Sequence, residues 1–161
     1  MLNRIWTLAF AFALLASPAL AHDAAQTVAS GDDQTGVPGQ VNDVQRTISV
    51  RMLETADGGM VFDPAIIEVD AGETLRLSFK NDGQMQHEFI LGTPEELASH
   101  AAMVREMPDM AHHDPNTIRL QPGKFGEILW KFGRATEPVF ACLIPGHFEA
   151  GMHGRVVVKA R

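Results

Sequence analysis

The 161-residue chain has no tyrosine, two tryptophans and a single cysteine, and its 13 lysines and arginines are outnumbered by 20 aspartates and glutamates. Each scarcity excludes something. One cysteine cannot build a disulfide framework within the chain. A formal net charge of −7, with the basic residues scattered, argues against a nucleic-acid partner, which needs a clustered basic face. No apolar run reaches the roughly 18 residues that a transmembrane helix requires. Nucleophile elbows, HExxH helices and phosphate-binding glycine loops are all missing, so the common signatures of hydrolases and nucleotide-binding enzymes are absent. What remains, 45% hydrophobic residues with 14 glycines and 9 prolines, suits one globular domain.

The first residues read as a targeting segment. Arg4 precedes a largely apolar run at 5–15, and Ala19-Leu20-Ala21 has the small-x-small form of a signal-peptidase site. The run is too short to span a bilayer. Residues 1–21 are therefore expected to direct export and be cleaved before His22, leaving a periplasmic protein with no stable membrane insertion; the alternative is an uncleaved N-terminal anchor, against which the small-x-small site argues. Residues 22–45 are small, polar and rich in Gly and Asp, the composition of a flexible arm.

From 46 to 161 the pattern changes. Apolar and polar residues alternate, or apolar residues cluster, over 47–53, 67–69, 75–79, 87–91, 117–120, 125–132, 138–142 and 154–159. Asp57-Gly58-Gly59 and Asp70-Ala71-Gly72 supply turns between them. Short strands at this spacing predict an all-β sandwich or barrel. One segment departs from the rhythm. Thr93-Pro94-Glu95-Glu96 combines an N-cap Thr, a Pro at the first helical position and a Glu three residues after the cap, which predicts a helix over 94–106, stopped by Pro108.

The chemistry concentrates near the C-terminus, in CLIPGHFEAGMHG. Cys142, His147 and Met152 follow one another as Cys-x4-His-x4-Met. A thiolate, an imidazole and a weak thioether are ligands of a blue-copper site, which needs a second imidazole. His87 is the natural candidate, since NDGQMQ forms a turn-rich approach and His87 opens the apolar strand that follows. The alternative for Cys142 is a buried thiol acting as a small hydrophobe. Thiolate and thioether favour Cu(I) and imidazoles serve either oxidation state, so such a set suits an ion that cycles between them.

These motifs resemble the cupredoxins, the plastocyanin and azurin family. CLIPGHFEAGMHG followed by RVVVK is similar to the family's copper loop and last strand, and NDGQMQHEFIL to the segment bearing the first ligand. The four-residue spacings are closer to rusticyanin and to bacterial copper-tolerance cupredoxins than to plastocyanin. The resemblance implies a Greek-key β-sandwich over 46–161, with the helix at 94–106 as an insertion. It further implies one type 1 copper held by His87, Cys142, His147 and Met152. Family members are electron carriers, copper-handling proteins or modules of larger oxidases; with one Cys and one sandwich, this chain is expected not to be an enzyme. The implied partners are a redox protein, such as a cytochrome or an oxidase, or other copper-handling proteins. One departure is Glu88, where many cupredoxins have Asn or Ser. Strand alternation sends its side chain to the face opposite His87, so the usual side-chain bond to the cysteine sulfur is expected to be missing or replaced by backbone donation.

A second reading, copper tolerance with more than one copper bound, rests on further donors. On a helical wheel Leu97, Ala101 and Val104 face the core, while His100, Met103 and Met107 share an adjacent stripe. Met110, His112 and His113 follow. This cluster would suit Cu(I); the alternative is methionine packing with solvated histidines. His22, once exposed by cleavage, would offer its imidazole and α-amino group as a chelate for Cu(II), or be incidental. Met52, Met60 and Met85 are expected to pack, Trp130 to lie in the core and His153 to sit on the rim of the site.

Overall fold

A computed structural model describes residues 35–106, 114–133 and 137–160. Among these residues ten strands form two five-stranded sheets, with one α-helix. The first sheet contains β1 (Gly36–Pro38), β2 (Arg46–Glu54), β3 (Met60–Asp63), β5 (Thr74–Asn81) and β8 (Phe125–Phe132), in the order β1-β8-β5-β2-β3. The second contains β4 (Ile66–Asp70), β6 (His87–Gly92), β7 (Thr117–Leu120), β9 (Val139–Ala141) and β10 (His153–Lys159), in the order β4-β10-β9-β6-β7. The β2/β5 and β4/β10 pairs are parallel and the rest antiparallel. This is the all-β sandwich expected from the alternation. Among the described residues no helix is long and apolar enough to cross a membrane.

The period-2 pattern explains the core. In β5 Leu75, Leu77 and Phe79 point inward, and in β8 Ile128, Trp130 and Phe132 do the same, meeting Ile67, Val69, Phe89, Leu91, Phe140 and Val156 from the other sheet. An aromatic group occupies the centre. Phe62 meets Phe89 and Phe140 edge-on, with centroids 5.5 and 5.4 Å apart, and Phe89 stacks on Phe140 at 5.0 Å. Trp130 is buried, as expected.

Strand β6 is buried along its whole length, because something covers its outer face as well. That cover is α1 (Pro94–Glu106), whose Leu97 packs with Ile90 and Ala141. The helix begins where the capping box predicts. Glu96 N–H donates to Thr93 Oγ1 at 3.1 Å and Thr93 N–H donates to Glu96 Oε2 at 2.7 Å.

Three expectations need correction. The flexible arm does not extend to residue 45: Gly36–Pro38 forms an edge strand on β8, Val41–Asp43 makes a 3-10 turn, and Trp130 Nε1–H donates to Thr35 O at 3.0 Å. Sheet pairing and a buried indole donor order what composition alone would leave loose. Strand β3 was not expected from the pattern; it pairs with β2 and buries Phe62. Met52 and Met60 pack against the core, but Met85 is 40% exposed rather than packed. The proposed signal segment, the first part of the arm and His22 lie outside the described residues.

Candidate metal centre

The centre forms at one end of the sandwich, where β6 begins and the β9–β10 connection passes over it. Asn81, at the end of β5, organises the approach to β6. Its side-chain amide donates to Met85 O at 2.7 Å and Leu120 O at 2.9 Å, and its Oδ1 accepts from Gly83 N–H at 2.9 Å. The turn is thus fixed before His87 enters the sheet, and His87 is fully buried.

The second part is the loop from Cys142 to Met152, wound by its own backbone bonds. His147 N–H donates to Ile144 O and Met152 N–H to His147 O, each at 3.0 Å. Cys142 N–H closes the loop on Met152 O at 3.0 Å. Gly146 and Gly151 have φ of +88° and +99°, a backbone region costly for other residues, so glycine permits the two reversals beside the ligand candidates. Cys142 and Met152 are fully buried and His147 nearly so.

Among the described residues, His87, Cys142 and His147 form the one grouping of three or more His, Cys, Asp or Glu with metal-ligand proximity, their donor atoms lying within 4.8 Å of one another. His147 Nδ1 lies 3.3 Å from His87 Nδ1 and 3.3 Å from Cys142 Sγ. An ion about 2.0–2.3 Å from each of three such donors would hold them about 3.4–3.8 Å apart, so the spacing needs little adjustment. Two imidazoles and a thiol with a buried thioether on the same loop fit copper in particular. At Glu88 the structure shows backbone donation in place of a side-chain bond to the sulfur. The residue's side chain turns away and Arg119 of β7 donates to it at 2.7 Å, while its backbone N–H donates to Cys142 Sγ at 3.4 Å.

Burial shifts two of the donors toward their neutral forms. Burial pushes the Cys142 thiol up from 9.0 to about 11, against the lowering influence of the Glu88 and Ile144 amides. Burial, reinforced by the neighbouring His87, lowers the His147 pKa, which keeps its lone pair available. Sequence reasoning missed Glu54. Its carboxylate accepts from His87 Nε2 at 2.9 Å and from the Gln84 and Met85 amides at 2.8 and 3.1 Å. Burial works against its ionisation, but those donors outweigh it and hold the carboxyl below its ordinary range. The only local signal was an acidic residue closing a strand.

Of the other donors, His100 is half-buried beside Ile90, Asn116 and Thr117, and Met103 is 38% exposed on the helix. Leu97 faces the core as expected, with Ala101 and Val104 partly covered. Met107, Met110, His112 and His113 lie outside the described residues. His153 is exposed at the rim, its ring 4.9 Å from that of Phe148.

A two-sheet sandwich with a buried His-Cys-His cluster and a methionine at its loop end defines a cupredoxin-type protein. The chain matches the copper-binding proteins of the plastocyanin/azurin family over residues 49–159, and it belongs to that family. It is 50% identical over 139 residues to the copper-resistant cuproprotein CopI of Rubrivivax gelatinosus, covering 86% of this chain and 78% of that protein. It is 36% identical over 153 residues to the protein of the same name from Pseudomonas aeruginosa, covering 77% of this chain and 82% of that one. Among solved structures, auracyanin B shares the fold with a TM-score of 0.63 at 22% identity, covering 78% of this chain and 96% of that one. An azurin from Methylomonas sp. strain J gives a TM-score of 0.57 at 17% identity, covering 72% and 99%.

Proposed function

We propose that this chain is an exported copper-resistance cuproprotein that holds one copper ion through His87, Cys142 and His147, with Met152 as a weak fourth donor. The observation that carries the reading is the convergence of two imidazoles and a thiol in a buried pocket. The two relatives named for copper resistance, alike over most of both chains, supply the biological direction. The protein acts by binding rather than by catalysis. Its residues present soft donors in a dry pocket, exclude water from the ion and steady the sulfur with the Glu88 amide. Export by residues 1–21 would place it in the periplasm, with copper-handling proteins as partners.

Single-electron transfer is the second reading, favoured by the way backbone bonds and Asn81 fix the donor positions. Bound copper would supply one reversible electron, and a site that need not rearrange makes that exchange easy. The partner would then be a redox protein.

Copper titration of the purified mature protein under oxidising and reducing conditions, with visible spectra, tests the site. One equivalent with a thiolate charge-transfer band that vanishes in Cys142→Ala supports it. Uptake beyond one equivalent, without added colour, would bring in His22 or the donors His100, Met103, Met107, Met110, His112 and His113. A deletion strain that grows normally in elevated copper would rule out the resistance role and favour electron transfer.

A further inference from the structure

Glu54 stands apart from the ligand set, 33 residues before His87, at the end of β2. Three bonds nonetheless converge on its carboxylate, from His87 Nε2 at 2.9 Å and from the backbone amides of Gln84 and Met85 at 2.8 and 3.1 Å. Neighbouring Gly83 makes room for it. A Cβ at that position would sit 2.6–2.9 Å from the Glu54 carboxylate, closer than such atoms approach. Gly83 thus lets the carboxylate lie against the turn that delivers His87 to the cluster.

The chemical consequence follows from the imidazole. Neutral histidine carries one N–H, and a carboxylate can only accept. With Nε2–H given to Glu54, the lone pair must be on Nδ1, the atom that faces His147 Nδ1 at 3.3 Å. We propose that Glu54 is a positioning residue for the copper site: its carboxylate selects the metal-binding tautomer of His87, fixes the ring's orientation and strengthens Nδ1 as a donor. This rests on the reading of His87 as a copper ligand. The negative charge behind the imidazole favours Cu(II) over Cu(I), so Glu54 also lowers the reduction potential.

The test compares Glu54→Gln with wild type. Glutamine keeps one acceptor oxygen, enough for the Met85 amide and His87 Nε2, but removes the charge and sets an NH2 against the Gln84 amide. The readouts are thermal stability of the metal-free protein, copper affinity by chelator competition, and reduction potential. The expected result is a modest loss of stability from the Gln84 amide bond, copper affinity 10- to 100-fold weaker, an order typical of losing a partner to a ligating histidine, and a raised potential. A double-mutant cycle with His87→Ala links the effect to the ring: in that background Glu54→Gln should change copper affinity less than twofold. Gly83→Ala displaces the carboxylate without changing its charge and should weaken affinity in the same direction. Unchanged affinity and potential in Glu54→Gln would overturn the proposal. So would an equal loss with and without His87, or variants whose only defect is a lower melting temperature. Failure of the underlying site reading is distinguishable, because Cys142→Ala would then keep the copper band of wild type.

Discussion

Copper binding should release one proton, and the size of the effect follows from the burial of Cys142. With its thiol pushed up to about 11, roughly one molecule in 10⁴ holds a thiolate at pH 7. Forming it costs about 5 kcal/mol, which is subtracted from the observed affinity. Each pH unit gained below that pKa therefore strengthens apparent binding about tenfold. Burial and His87 lower the His147 pKa, which favours the neutral ring and works against a second proton being released there. The assay is Cu(I) competition with a chelator of known pH dependence between pH 7 and 10, with proton release followed in weakly buffered solution. The expected slope of log affinity against pH is about one, and Cys142→Ser should abolish it. A flat profile in the wild type would show that the thiolate is preformed and refute the argument. The same group acts on the metal-free fold. Because the unfolded thiol ionises near 9.0 and the folded one near 11, the native state's advantage is complete below pH 9. About 3 kcal/mol of it is lost as pH rises to 11, measurable by urea unfolding at each pH.

Other substitutions probe the ligands and the scaffold. Met152→Leu nearly conserves volume at a fully buried position, so metal-free stability should fall by less than about 1.5 kcal/mol. Copper should remain bound with a raised potential, since the axial bond is weak; voltammetry checks this, and loss of copper would contradict it. Phe89→Ala removes a ring that meets Phe62, Phe79 and Phe140, and should cost about 3–5 kcal/mol in chemical denaturation. Thr93→Ala breaks the capping box of α1 and should cost about 1 kcal/mol, with Thr93→Ser restoring most of it.

Much of the fold was legible because the signals are local. The helix start follows from a cap, a proline and a glutamate within four residues, and the structure begins α1 at Pro94. The main strands show their alternation within five to nine residues. Strands β1 and β3 were not legible. Gly36–Pro38 contains a proline, tolerated only because it lies on a sheet edge, and its partner in β8 is nearly a hundred residues away. In Met60–Asp63 only Phe62 is fully buried, too little pattern to stand out beside a glycine turn.

The candidate site divides in the same way. The spacing of Cys142, His147 and Met152 belongs to one loop, and donor chemistry alone marks it as a place for a soft metal ion. Within the sequence the turn before β6 made His87 a plausible fourth member. Only the tertiary structure brings its ring against His147 across 60 residues, aims the Glu88 amide at the sulfur and sets Glu54 behind the imidazole. The physical reason is range. Capping, alternation and loop spacing are written in bonds between near neighbours, whereas a burial-shifted thiol and a carboxylate-held histidine exist only after two sheets have closed over the same volume.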